Sequence, residues 1–282
     1  MTPGVGWESA LGFDYRQVQC EVTATLLVKA PCWQRWSPYH VFGQFRYGQN
    51  NGASDPFNDT NIPISLGTAT PSVVNATGSA TLNKESHWLV DLGVGRDFGL
   101  GSSNIQAQLG VRVAEIVSAA SGAGALHGCT GSVNSFPLCT EVNGNFSFQS
   151  RSQFLGVGPR VGIDGSQPLG GSWAFEYLGG VAVLFGNRSF NANQSLFATT
   201  PTFGGPKLNS VTALSASSLV GIFNLDAQAG ISYWLTHNFK LTASYRFDGY
   251  FNAITIIEPN GGLGQQDRFY YGPMLRGTVT FN

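Results

Sequence analysis

From Phe269 onward every second residue is aromatic, aliphatic or small: Phe269, Tyr271, Pro273, Leu275, Gly277, Val279 and Phe281. Arg268, Tyr270, Gly272, Met274, Arg276, Thr278 and Thr280 fall between them. Successive strand side chains point to opposite faces, so this spacing gives one greasy face and one mostly polar face. The same beat runs through the preceding segment, where Phe239, Leu241, Ala243, Tyr245, Phe247 and Phe251 alternate with Lys240, Thr242, Ser244, Arg246 and Asp248. It recurs over Phe223 to Tyr233 with Asn224, Asp226 and Gln228 on the facing side, and over Trp173 to Phe185 with Glu176. Leu155 to Ile163 (facing Arg160), Ile105 to Val113 (facing Arg112) and Trp88 to Val94 (facing Asp91 and Asp97) continue it. Three weaker segments precede these: Trp7 to Tyr15, Val18 to Val28, and Tyr39 to Tyr47 with Arg46 on its polar side. The count is about ten strands, with eight or twelve also allowed by the pattern.

The spacing of the aromatic residues carries a length. Trp173 and Phe185, Phe239 and Phe251, and Phe269 and Phe281 are each twelve positions apart on the greasy parity. Twelve residues at about 3.4 Å make roughly 40 Å of strand. Tilted by about 45°, that becomes roughly 29 Å along a barrel axis. An apolar band about 25 Å tall, flanked by aromatic girdles, is what a strand crossing the outer membrane presents. These six residues are the expected girdle.

Composition removes the competing classes. Charged residues are 11% of the chain, aromatics 12%, and the net charge is -1. Disorder requires high charge and few aromatics. Nucleic-acid binding requires a basic stripe, and no Lys/Arg cluster is present. A spanning helix requires about 20 apolar residues in a row; the best run, Val22 to Val28, is short and is closed by Lys29.

Connections give an independent argument. Residues 49–83, 116–145, 187–218 and 252–265 read as long links rich in Gly, Asn, Ser and Thr; 99–103, 164–171 and 235–238 read as short ones. Long links on one side and short turns on the other match the extracellular loops and periplasmic turns of outer-membrane barrels. The expected fold is a single antiparallel transmembrane β-barrel domain over residues 1–282, with lipid as its first partner.

Particular stretches resemble a known family. Ser86-His87-Trp88-Leu89-Val90-Asp91 leading to Gly95-Arg96-Asp97, and then Gly110-Val111-Arg112-Val113-Ala114-Glu115, look like paired strands of the Legionella-type major outer membrane protein family. So does Phe154-Leu155-Gly156-Val157-Gly158-Pro159-Arg160-Val161-Gly162 with the aromatic strand that follows. The resemblance covers roughly residues 38–282. It implies a pore-forming barrel in the outer membrane of a Gram-negative bacterium. A passive channel needs no cofactor, and no catalytic or metal-binding motif in the sequence points to an enzyme. Met1-Thr2-Pro3 opens without the basic and apolar regions of a secretory signal.

Other constellations have plain structural readings. The glycines from Gly156 to Gly162 could suggest a phosphate loop, but the alternation continues through them, which fits close packing in a strand. His87 with Asp91 could suggest a barrel hydrolase, yet no nucleophile motif accompanies the pair. Cys129 and Cys139, ten positions apart in an external link, are expected to form a disulfide; Cys20 and Cys32 are a second candidate pair. The charges on the inward parity are the expected pore lining: Arg46, Asp91, Arg112, Arg160, Glu176, Asp226, Lys240, Arg246, Asp248, Arg268 and Arg276. They imply either a watery, slightly cationic channel or an interlocked ionic core. A homo-oligomer and a partner bound by the long links are compatible with all of this.

Overall fold

The computed structural model describes residues 6–21, 33–51, 54–64, 72–100, 103–130, 140–199, 207–257 and 263–280. Ten antiparallel strands account for almost all of them: β1 (Gly6–Glu21), β2 (Trp33–Asn51), β3 (Ser54–Ile64), β4 (Ser72–Leu100), β5 (Ser103–Thr130), β6 (Thr140–Gly170), β7 (Trp173–Thr199), β8 (Lys207–Trp234), β9 (Phe239–Ile257) and β10 (Leu263–Val279). The sheet runs β1-β2-β4-β5-β6-β7-β8-β9-β10 and curls on itself. β3 lies off this path and pairs with β4 from Ser54↔Thr81 to Ile64↔Ser72, just beyond the β2–β4 ladder that ends at Asn51↔Lys84. β3 therefore prolongs the line of β2. Nine strands form the wall, and β1 and β10 both run toward the short-turn end. Among the described residues no ladder joins those two strands.

The expected strand count is met with a different assignment at the N-terminus. Trp7 to Tyr15 and the start of the next expected strand form one strand, β1, with a register break between Arg16 and Val18. Val22 to Val28 lie outside the described residues.

The long links are largely strand. β5 and β6 pair without a break from Asn104↔Ser166 to Thr130↔Thr140, and β7 and β8 from Trp173↔Tyr233 to Thr199↔Lys207. Strands of 27 to 31 residues in β4 to β8 thus continue well above the length that lipid requires. On the outer face of this extension Ser147 and Ser195 hydroxyls share a hydrogen bond at 2.7 Å, and Ser217 donates to Asn187 at 2.8 Å. The greasy outward stripe ends there because the outer face no longer meets hydrocarbon, while Phe190, Ala192 and Leu126 are buried on the inner face. At the other end β6 turns into β7 through Gly170 (φ 115°) and Gly171 (φ 57°), conformations that cost a side-chain-bearing residue but not glycine.

The two faces of the wall divide as the alternation requires. Leu11 (77% exposed), Leu109 (59%), Phe185 (59%) and Leu275 (70%) stand outside, whereas Arg46, Arg112 and Asp226 are fully buried inside. Aromatic residues meet across strands at both edges of the outer band. Phe251 lies 5.7 Å from Phe223 and 5.7 Å from Phe269, while the ring of Trp173 lies 4.7 Å from that of Tyr233, tilted by 52°, near the short turns. Phe281, the last expected girdle residue, lies outside the described residues. The glycines at 156 and 158 form no loop: a Cβ on Gly158 would stand 1.8 Å from the Val183 carbonyl oxygen, so they allow close approach of β7.

Candidate functional site

The interior is built in levels by residues of the inward parity. At the short-turn end Lys240 (β9) and Arg276 (β10) converge on Glu176 (β7), with Arg276 donating at 2.8 Å. Nearby, Arg16 reaches Asp97 at 2.5 Å and Asp14 at 3.5 Å.

Midway, four arginines and three aspartates interlock. Arg112 (β5) donates from Nε and Nη2 to both oxygens of Asp91 (β4) at 2.6 Å, a fork-on-carboxylate geometry, and from Nη1 to Asp226 (β8) at 2.7 Å. The same guanidinium reaches Asn224. Arg160 (β6) lies 3.2 Å from Asp226 and 3.6 Å from Asp91. Arg46 (β2) crosses to Asp248 (β9) with bonds of 2.7 and 3.0 Å, and Arg246 meets Asp248 at 2.8 Å. An interior enclosed by nine strands is narrow enough for such bridges, since side chains fill barrels of about eight strands.

Above this belt the parity turns apolar. Leu89, Ala114, Ile116, Phe154, Ala182, Leu184 and Ile222 are buried together, and the cluster is completed by Tyr250, Ala253 and Ile254 of β9. These last residues arrive because β9 leaves the wall. Its ladder with β8 stops at Phe223↔Phe251, although β8 continues upward along β7. Asn252 adopts φ 57°, and the register with β10 slips between Gln266 and Arg268. Three bonds hold the turned-in segment. The Asn252 amide donates to Asp267 at 2.8 Å, Arg188 (β7) donates to the Asn252 carbonyl at 2.8 Å, and the Thr255 amide donates to the Ser152 hydroxyl (β6) at 2.9 Å. The β9–β10 hairpin therefore leans across the lumen onto the opposite wall. Beside it Arg268 pairs with Glu85.

The eleven charged positions expected on the inward parity stand on the inner face, joined there by Glu8 and Asp14, which oppose the greasy residues of the first strand in the sequence, and by Glu85 and Arg16. Glu8 pairs with Arg46 at 3.5 Å and with the buried His87 at 3.0 Å. Within the ion pairs Arg16, Arg46, Arg112, Arg160, Lys240, Arg246, Arg268 and Arg276 face Glu8, Asp14, Glu85, Asp91, Asp97, Glu176, Asp226 and Asp248. Among the described ion pairs eight cations face eight acids, so these pairs carry no cationic excess of the kind the sequence suggested. Glu8 and Asp14 carried the inward parity in a strand with a weak pattern. Glu85 stood at the margin of an apparent loop. His87, weighed as a hydrolytic residue, stacks 4.0 Å from Tyr270 and is engaged by Glu8. Cys139 and Cys32 lie outside the described residues, so the expected disulfides fall there too.

A family model described as the Legionella pneumophila major outer membrane protein precursor matches residues 45–281. The chain belongs to this family. Its members are outer-membrane proteins of a Gram-negative bacterium, in keeping with a wall that is apolar outside and ionic within. No curated protein and no solved structure matches the chain. The match begins at Phe45 and so includes the strands that carry the central Arg112 network and the inward hairpin.

Proposed function

We propose that this protein is an outer-membrane barrel passing small hydrophilic solutes by passive diffusion, and that the β9–β10 hairpin closes its mouth in the state described. One observation carries the reading: between the girdles the paired charges all stand on the inner face. Desolvating an ion costs several kcal/mol, and a barrel serving only as an anchor would be at least as stable with apolar filling. A charged lining is favourable when water reaches it. The hairpin supports a closed state that can open, because it is tied to β6 and β7 by only a few bonds and has left its ladder with β8. Since the interior ion pairs balance, the open path would discriminate by size more than by charge.

Planar-bilayer recording tests this on two proteins: the full chain, and a variant with residues 253–266 replaced by two glycines. The full chain should open intermittently and the shortened one conduct steadily. Equal conductance would remove the hairpin's role and leave the channel. Silence from both, when folded, would remove the channel. The complete burial of Arg46 and Arg112 favours, in that event, a non-conducting surface barrel that engages a partner through the extended β4–β8 sheet.

A further inference from the structure

Each interior cation of the membrane-spanning wall has a carboxylate partner, but one cation of that wall is outside. Arg96, on β4, shares the outward parity of Leu92, Val94 and Phe98 and is itself exposed. Among the described residues it is the charged side chain on the outer face between the girdles that has no carboxylate within ion-pair distance. Its guanidinium carbon instead lies 5.4 Å from the ring centre of Tyr39, its cross-strand neighbour on β2, and 5.2 Å from that of Phe98.

Depth gives this arrangement its meaning. Arg96 stands four residues before the end of β4, where the chain turns into β5 at the short-turn side. Tyr15, Tyr39 and Phe98 are exposed at that end and form part of an aromatic belt. A cation facing lipid costs about 2–4 kcal/mol at the bilayer midplane but only about 0–1 kcal/mol at the interface. The two rings attract the guanidinium through their faces. Among the described residues no acceptor is recorded for its N–H groups, five donors in a planar fork. Among the described residues the outward carboxylate of this region, Glu115, is held by Trp88 and Gln153 eight residues further up β5 from Ala107, the cross-strand neighbour of Arg96, and the anions present at the depth of Arg96 are lipid phosphates.

We propose that Arg96, held between Tyr39 and Phe98, binds the phosphate of a phospholipid in the leaflet at the short-turn end of the barrel. The planar fork matches two phosphate oxygens, which a lysine at the same point would not do. The site rests on the barrel spanning a membrane, and it does not require the barrel to conduct.

Native mass spectrometry of the full chain, released from detergent after incubation with dioleoyl phosphatidylglycerol, reads the site directly. Wild type should retain one lipid that Arg96→Gln loses by about tenfold, the loss of one charge-assisted contact. Arg96→Lys should fall between them. Arg151→Gln, an outward arginine above the band, should bind as wild type does. Equal retention by wild type and Arg96→Gln overturns the proposal, as does displacement of the lipid by millimolar inorganic phosphate, which would mark a site for free anions. Unaltered bilayer currents in Arg96→Gln separate this site from the channel. Loss of the lipid signal leaves the currents standing, and silent bilayers leave the lipid site standing.

Discussion

Arg112 on β5 reaches Asp226 on β8 at 2.7 Å, although β6 and β7 separate the two strands in the wall, and the same guanidinium holds both oxygens of Asp91. The pair ties opposite sides of the barrel together through its centre, where both side chains are fully buried. Removing one partner of a buried pair leaves an uncompensated charge and costs about 3–5 kcal/mol. Arg112→Met should therefore lower the free energy of unfolding measured in urea by that amount. The folded barrel is followed by its anomalous electrophoretic mobility before boiling. Asp226→Asn should cost less, because Arg112 retains Asp91. Equal stability of Arg112→Met and wild type would mean that water, not the ion network, fills the centre.

The outer wall makes the opposite demand. Val111 faces outward on β5 beside Leu92 of β4, inside the apolar band. Leu219 is also outward and 85% exposed, but it pairs with Asn187, above Phe185 and beyond the band. Val111→Arg should destabilise the barrel by about 2–4 kcal/mol and Leu219→Arg by no more than about 1 kcal/mol, as the depth dependence of arginine in lipid requires. Unfolding titrations in phospholipid vesicles measure both. If the two substitutions cost the same, the band does not meet hydrocarbon.

The β5–β6 hairpin ends on the rung Thr130↔Thr140, so the backbones next to Cys129 and Cys139 are neighbours. A bridge between those cysteines would close a short loop in an oxidising compartment. Mass mapping without reductant should recover a joined Cys129–Cys139 peptide, and alkylation of both before reduction would show that no bridge forms.

Which parts of this molecule could be seen in the sequence follows from what each face touches. Where hydrocarbon lies outside and charge inside, as along Phe239 to Phe251, the alternation is strong and strand, facing and depth are all readable. Above Phe185 the outward parity turns polar, with Ser189, Asn191, Asn193 and Ser195, while Phe190 and Ala192 are buried on the inner face. The greasy parity therefore changes sides, and the extension reads as loop although β8 pairs with it throughout. The interior ion pairs were legible as a set of inward charges. Their partners were not, because Arg46 and Asp248 are 202 positions apart and only the curl of the wall brings them together. The inward turn of β9 was hidden for a different reason. Its residues Ala253, Ile254 and Thr255 look like any apolar strand end, and the departure is decided by the backbone of one residue.

That residue is Asn252, the one described non-glycine position with positive φ. Asparagine tolerates the left-handed region better than most side chains, and glycine enters it without steric cost. A β-branched side chain there costs of order 1–3 kcal/mol. Asn252→Gly should keep the hairpin in place. Asn252→Val should favour the conformation in which β9 continues straight, releasing Ile254 from Phe154 and Leu184. The prediction is a higher open fraction in bilayer recordings and faster proteolysis within residues 253–266 for Asn252→Val, with Asn252→Gly close to wild type. The asymmetry between the two substitutions is what counts, since neither removes a side-chain hydrogen bond recorded for Asn252; its contacts to Asp267 and Arg188 run through the backbone amide and carbonyl. Equal behaviour of glycine and valine would show that the hairpin is held by its apolar contacts alone and that the turn at Asn252 does not set its position.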